Sequence, residues 1–279
     1  MKNLLKRIVA TTLVLLCYIS SSQAYIIGGP EAGLQNLNGS YAWDGGSNLT
    51  GFRSALGNPA YFGVGGIVNE AITTVNITPN AANLATVDGF IAPWWSISES
   101  SSYHNDVINF FLGGGDLWLM QDSSGRDGIG AALGIPTVGQ TSITPVNGIA
   151  PLFNGPFGIA TNVQQGGGEE GFLSTADVLN ANGTIIGKNT ENQVIAAAWG
   201  AGQWAAGAGS LIVVADIDMF TTRARFNPLN DNGIFALNAF AFLATSDQPI
   251  DVPNAQTYLL FLFGIGVLGL SRRKNFLKK

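Results

Sequence analysis

Apolar residues recur along this chain in distinct rhythms, and each rhythm predicts a kind of element. Between Tyr103 and Leu112, the residues Tyr103, Val107, Phe110 and Phe111 stand at i, i+4, i+7 and i+8, the spacing of one helix face. Ser101 or Ser102 can cap this helix, Asn105 and Asp106 occupy its first turn, and Gly113, Gly114 and Gly115 end it. Val87 to Ala92, stopped by Pro93, and Leu117 to Met120 are short continuous apolar runs, as in strands buried on both faces of a parallel sheet. Strand, helix and strand make a βαβ unit with a right-handed crossover, predicted to be the core of the fold.

Further strands are read at Tyr25 to Gly29, at the β-branched Thr73 to Ile77, and at Gln193 to Trp199 and Ser210 to Ala215, the last two joined by the Gly/Ala-rich Gly200 to Gly209. Asn232 to Leu243 is apolar almost all round, which fits a closing helix packed on a sheet. Leu34 to Gly51, rich in Gly, Asn and Ser, reads as a surface loop, and the Gly- and Asn-rich Pro136 to Asn192 predicts no definite element. No internal repeat is visible, which disfavours a solenoid or propeller. The fold class predicted is α/β, a mostly parallel sheet flanked by helices. The alternative is an all-β sandwich, which the Gly content suits and two helices do not.

The two ends of the chain follow other rules. Met1 to Ala24 presents Lys2, Lys6 and Arg7, an apolar run from Ile8 to Ile19, and then Ser20-Ser21-Ser22-Gln23-Ala24. This is the layout of a secretory signal peptide, with cleavage expected after Ala24. At the other end, Tyr258 to Leu270 is apolar over 13 residues and is closed by Ser271, Arg272, Arg273 and Lys274, with Lys278 and Lys279 behind. The run is short of the ~18 residues that span a bilayer, and counting from Ala255 brings it near the limit. Its basic cluster is expected to stay cytoplasmic. A plain single-pass transmembrane helix is one reading of this segment.

Val252-Pro253, a short polar stretch, a helix punctuated by Gly264, Gly266 and Gly269, and then Arg272-Arg273-Lys274 resemble the PEP-CTERM sorting tail. Pro253-Asn254-Ala255 stands where that family has Pro-Glu-Pro. The resemblance implies an exported protein of a Gram-negative, exopolysaccharide-making bacterium, with a membrane transpeptidase, exosortase, as the processing partner. It implies anchoring in the inner membrane before processing, and then a place on the cell surface or in the extracellular matrix. The chain divides accordingly into residues 1–24, a domain at 25–250, and a tail at 251–279.

Charge narrows the partners of that domain. Arg53, Arg126, Lys188, Arg223 and Arg225 face 17 Asp and Glu, a net charge of −12, so nucleic acid is a very poor partner. Cys17, the only cysteine, lies inside the leader's apolar core. The exported domain is therefore expected to lack disulfides, thiol catalysis and cysteine metal ligands together. Gly113 to Gly115 and Gly166 to Gly168 lack a phosphate-loop Lys and the dinucleotide spacing. No cofactor motif and no metal-ligating set is read. An acidic, Lys-poor domain suits an extracellular setting where divalent cations bind weakly.

A second resemblance spans Tyr25 to Ala244. Val87-Asp88-Gly89-Phe90-Ile91-Ala92-Pro93, a helix, Gly113 to Met120, the run Ile212-Val213-Val214-Ala215-Asp216-Ile217-Asp218, and Asn232 to Leu243 follow in a flavodoxin-like succession similar to class I glutamine amidotransferase-like domains. In catalytic members a nucleophilic cysteine sits on the tight turn after a strand, with a distant His as base. The corresponding turn here is Gln121-Asp122-Ser123-Ser124-Gly125, without cysteine, and His104 lies upstream. The resemblance implies the fold without that mechanism.

Other chemistry rests on few residues. Ser123 or Ser124 as nucleophile would have only His104 as base, and a His in a helix's first turn is expected to be solvated. Asp122 with Asp127, or Asp216 with Asp218, could pair as glycosidase carboxylates, against the plainer role of turn residues that bond their own backbone. Asp216 and Asp218, two residues apart, would face opposite sides of an extended chain.

Ligands of open α/β sheets bind beyond the carboxyl ends of the strands, where loops starting at Pro93, Gln121 and Asp216 converge. That predicts a rim of Trp94, Trp95, Asp122, Ser123, Arg126, Asp216 and Asp218. Two adjacent indoles beside carboxylates and hydroxyls suit a sugar, such as a unit of exopolysaccharide. The plainer alternative is that the rings cover the sheet's end as core. The sequence thus points to an exported, membrane-tethered or surface protein with a binding or structural role and no catalysis. The alternatives are a carboxylate-dependent hydrolase of surface polysaccharide and a matrix component without a ligand.

Overall fold

The computed structural model describes residues 24–31, 34, 39–94, 101–167, 170–222 and 226–245. Residues 1–23 of the expected signal peptide, the expected sorting tail at 251–279 and Trp95 lie outside them. The strands are β1 (Tyr25–Pro30), β2 (Ile72–Ile77), β3 (Gly89–Pro93), β4 (Asp116–Met120), β5 (Thr137–Val138), β6 (Val146–Gly148), β7 (Asn154–Gly155), β8 (Gly158–Ile159), β9 (Phe172–Leu173), β10 (Thr184–Asn189), β11 (Val194–Trp199) and β12 (Leu211–Val214). The α-helices are α1 (Thr50–Leu56), α2 (Ala81–Leu84), α3 (His104–Leu112), α4 (Gly128–Ala132), α5 (Thr175–Asn180) and α6 (Asp231–Thr245).

Five strands run parallel in the spatial order β2-β1-β3-β4-β12, which in chain order is the 2-1-3-4-5 arrangement of flavodoxin-like sheets. Beyond β12 the sheet continues through β11, β10 and β6, each antiparallel to its neighbour. The α/β expectation holds and the sandwich alternative does not. The segment that predicted no element, Pro136 to Asn192, supplies the short strands β5 to β9, α5 and most of the antiparallel extension.

Period-two alternation divides the core into two layers. Phe90, Ala92, Leu117, Leu119, Leu211 and Val213 face one side, where Val107 and Phe111 of α3 cover them. Ile91, Trp118, Met120, Ile212 and Val214 face the other, under α1 and the almost wholly buried α6. Trp118 sits at the centre of that second layer, edge-on to Phe52 at 5.5 Å and to Phe220 at 5.2 Å. Strands buried on both faces must be apolar throughout, which is why β4 and β12 read as continuous runs. No helix among the described residues is long and apolar enough to cross a membrane.

Three local expectations are corrected. Neither Ser101 nor Ser102 caps α3. The 3-10 turn Ser101–Tyr103 runs straight into it, leaving Tyr103 at the cap position with helical backbone and no side-chain cap bond. His104 is buried rather than solvated, and loss of hydration lowers its pKa. Leu34 to Gly51 is not simply a surface loop, because Tyr41, Trp43 and Leu49 are buried and Thr50 opens α1. Trp43 lies directly on the backbone of β1, so that a Cβ at Gly29 would overlap its indole ring.

Gly29→Ala is therefore expected to lower stability by about 1–3 kcal/mol, the usual range for overpacking a filled core. Gly28→Ala should cost less, since its methyl first meets the tip of Ile77 at 2.9 Å. Thermal unfolding of the two variants checks this, and equal losses would contradict the seat assigned to Trp43.

Candidate functional site: an acidic rim at the strand ends

β12 ends at Val214, and two residues later the extended chain reaches Asp216, the N-cap of the 3-10 turn Ile217–Phe220. Asp216 Oδ1 accepts the Asp218 N–H at 2.7 Å and Oδ2 accepts the Gly166 N–H at 3.1 Å. The turn brings Asp218 back beside Asp216 instead of to the opposite side of the strand. Asp218 Oδ1 accepts the Tyr41 hydroxyl at 2.7 Å and the Thr221 hydroxyl at 3.0 Å. The third member is Glu170, only 1% exposed. Carboxylate oxygens of Glu170, Asp216 and Asp218 all lie within 4.8 Å of one another. Gly167, with φ +95°, arches against Glu170 and Asp218, whose carboxylate oxygens lie 2.5 Å or less from where its Cβ would stand.

Above this buried trio the rim opens. β4 ends at Met120 and delivers Gln121 and Asp122, and β3 ends at Pro93 and delivers Trp94. The Trp94 N–H donates to the Met120 carbonyl at 2.7 Å, and its backbone takes a positive φ of 48°. The indole packs edge-on to Tyr41, centroids 4.5 Å apart, and the Arg126 guanidinium lies 4.8 Å over its ring. Asp122, Ser123, Arg126 and Trp94 are half-buried, and Ser124 and Gly125 are exposed. The rim is thus a half-open lip over a closed acidic floor.

Electrostatics follow from that burial. The Asp122 carboxyl is pushed up to about 7, by loss of hydration first and then by the charges of Asp218 and Glu170, with Arg126 pulling the other way. Asp216 is held well above the ordinary carboxylate range by complete burial, then by Glu170 and Asp218. Carboxylates this close cannot all ionise without compensation. Chemically the cluster can share protons, present an acid and a base to a substrate, or surround a hard cation with oxygen donors. Glu170, Asp216 and Asp218 are the residues able to hold such an ion.

No protein-family description matches the sequence, and no curated protein does. Solved structures do match. The mmIFT52 N-terminal domain is 13% identical at a TM-score of 0.55, over 81% of this chain and 99% of that one. An exo-β-1,4-mannosidase from an Opitutaceae bacterium is 10% identical at 0.50, over 83% of this chain and 38% of the enzyme. A ThuA-like protein from Bacteroides uniformis is 9% identical at 0.49, over 82% and 96%. The likeness is one of fold alone.

Of the rim residues predicted from sequence, Trp94, Asp122, Arg126, Asp216 and Asp218 come together here, Ser123 stands in the same turn, and Trp95 lies outside the described residues. Arg126 already covers one face of Trp94, and the ring also packs on the core, so a sugar-stacking platform is not open on that face. Asp127 does not pair with Asp122 in the rim. It is buried, and its Oδ2 accepts the Thr137 N–H at 2.7 Å, tying α4 to β5. Glu170 and Tyr41 were not foreseen, since both sit in Gly-rich stretches without periodicity. The Glu169-Glu170 pair after Gly166-Gly167-Gly168 was the one available signal.

A hollow of about 650 Å³ lies at the opposite, amino end of the strands, lined by Tyr25, Asp88, Asp106, Phe110 and Asp116 among others. Its aspartates are occupied with structure. Asp88 accepts the Ile26 N–H at 2.7 Å, Asp106 the Ala81 N–H at 3.2 Å, and Asp116 the Ser210 N–H at 2.7 Å and the Tyr25 hydroxyl at 2.8 Å. Volume favours that end, but chemistry favours the acidic rim.

The raised carboxyls fix the sign of a pH dependence. Asp122 titrates near 3.8 when unfolded and at about 7 when folded, so the native state binds the proton more tightly. Stability should be greatest on the acidic side of this window and fall as pH rises from about 4 to 7. Asp122→Asn is expected to raise the melting temperature at about pH 8 and to flatten the slope below it, leaving the part due to Asp216. A melting temperature that rises with pH across this window in the wild type would refute the assignment.

Proposed function

We propose that this chain is an exported protein of the bacterial envelope or extracellular matrix, sorted by its C-terminal tail, whose flavodoxin-like domain binds a hydroxyl-rich ligand at the acidic rim without catalysis. The observation that carries the binding role is the convergence of Asp122, Arg126, Asp216, Asp218 and Glu170 beyond the carboxyl ends of β4 and β12, the place where open α/β sheets hold ligands. Carboxylates and a guanidinium bond hydroxyls in complementary ways, the first accepting and the second donating. Exopolysaccharide, made by bacteria that carry such tails, is the proposed ligand class. The amidotransferase likeness of the sequence is read as shared architecture, because Asp122, Ser123 and Ser124 occupy the turn after β4 where that family's catalytic members carry cysteine.

One observation favours a second reading, a hydrolase acting on surface polysaccharide. A carboxyl held at about 7 beside more acidic neighbours is the division of roles that acid–base glycoside cleavage needs.

Two measurements test these readings. Deleting residues 251–279 is expected to release the protein from the membrane fraction, and unchanged fractionation would remove the tail as anchor. Matrix polysaccharide is expected to bind the wild type about tenfold or more tighter than Arg126→Ala, with no new reducing ends produced. Release of reducing ends that Asp122→Asn abolishes would establish the hydrolase instead, and equal binding by wild type and Arg126→Ala would remove the rim as the site.

A further inference from the structure

β2 forms one edge of the sheet, and its outer side has no strand partner among the described residues. The β1–β2 ladder begins with the Tyr25 N–H donating to the Ala71 carbonyl at 2.8 Å and ends with the Glu31 N–H donating to the Ile77 carbonyl at 3.1 Å. In a parallel ladder alternate residues of a strand turn both backbone groups toward the same neighbour. Thr73, Val75 and Ile77 therefore bond β1, while Ile72, Thr74 and Asn76 direct their N–H and C=O groups outward. Thr73, Thr74 and Asn76 are exposed, so little covers this row.

Edge strands are usually blunted by a Lys, a Pro, a bulge or a short length. Here six consecutive residues, Ile72-Thr73-Thr74-Val75-Asn76-Ile77, pair with β1 in unbroken register and contain none of these. The opposite edge is treated differently. Val146 of β6 exchanges both backbone bonds with Val163, at 2.8 and 3.1 Å, which occupies the outward groups at the start of that three-residue strand.

We propose that the β2 edge is a self-association surface, and that two copies of this chain pair β2 antiparallel about a two-fold axis through Thr74. An open row of backbone groups calls for an extended strand, and a two-fold contact must be self-complementary. β2 meets that condition. Thr74 faces Thr74 of the second copy, Ile72 faces Asn76, and Thr73 faces Val75, which are β-branched or neutral pairs with no like charges opposed. A two-fold contact uses the β2 edge of both copies and so closes on itself, yielding a dimer with one continuous sheet and no fibre. Six residues a side fall below the ~1,200 Å² of standard interfaces, so the dimer is reversible and in the micromolar range. The rim at the strands' carboxyl ends takes no part, so this inference is independent of the proposed function.

Sedimentation velocity of the full chain in mild detergent, over a concentration series, reads the dimer directly. The wild type is expected to pass from monomer to dimer by about 100 μM. Thr74→Lys, which opposes two ammonium groups at the axis, should weaken the dimer roughly tenfold or more without moving the thermal transition. In a Cys17→Ser background, Thr74→Cys should oxidise to a disulfide-linked dimer, because paired Cα atoms on a hydrogen-bonded site lie ~5.5 Å apart. Thr73→Cys should not, since its partner is Val75. A wild type that stays monomeric throughout, a dimer that Thr74→Lys leaves intact, or equal crosslinking at both positions would overturn the proposal. If Thr74→Lys fails to fold, the cysteine pair alone decides.

Discussion

The constraint on which everything else depends is the complete burial of β4 and β12. Leu117, Trp118, Met120, Leu211, Ile212, Val213 and Val214 are all sealed from solvent, with Leu119 close to it. Sealing both faces requires a helical layer on each side, which α3 supplies on one and α1 with α6 on the other. It also forces every polar residue of these strands to their ends, because an unpaired polar group inside such a sheet costs several kcal/mol. The acidic rim is thus a consequence of the sheet. Asp122 and Asp216 stand at the first positions after the apolar runs where chain can carry charge.

Burial of the acids then works against the fold. Hydration lost by Asp216 and Asp122, compounded by their mutual repulsion, destabilises the native state at neutral pH. The surrounding chain offsets part of this with Tyr41, Thr221 and the Gly166 and Asp218 amides. Gly167 admits the carboxylates by lacking a side chain. Carboxyls shifted in this way by burial and by one another cluster at functional sites.

The sequence was most legible where one physical demand dominated. Continuous apolar runs marked β3, β4 and β12, the 3.6-residue rhythm marked α3, and the all-round apolar stretch marked α6, because each must bury a defined surface. The strand ends located Trp94, Asp122, Arg126 and Asp216 for the same reason. Legibility failed where long-range packing decided. Trp43 and Tyr41 are single aromatic anchors in a polar stretch, and nothing local signals that Gly29 is bare in order to receive an indole. Asp218 was misjudged because an extended strand was assumed to continue where Asp216 caps a 3-10 turn. Glu170 reaches the site from a glycine-rich segment more than 40 residues before Asp216 in the chain, a juxtaposition made by the antiparallel extension and carried by no spacing rule.

Both ends of the sheet are acidic, and what the acids bond to tells them apart. At the amino end Asp88, Asp106 and Asp116 accept backbone N–H groups from β1, from α2 and from the residue before β12. Those bonds satisfy orphan donors that any version of this fold would have to satisfy, so the charges there are explained by architecture. At the carboxyl end Asp216 accepts the Gly166 and Asp218 amides, and Asp218 accepts the Tyr41 and Thr221 hydroxyls. Architecture alone would be served by a single capping aspartate at Asp216. Asp218, Glu170 and Asp122 add like charge to it in a place of low hydration, and a proton, a cation or a ligand bearing donors would relieve that beyond what the surrounding hydroxyls and amides do. That concentration of buried acid is what favours this end of the sheet for the proposed site over the hollow at the other.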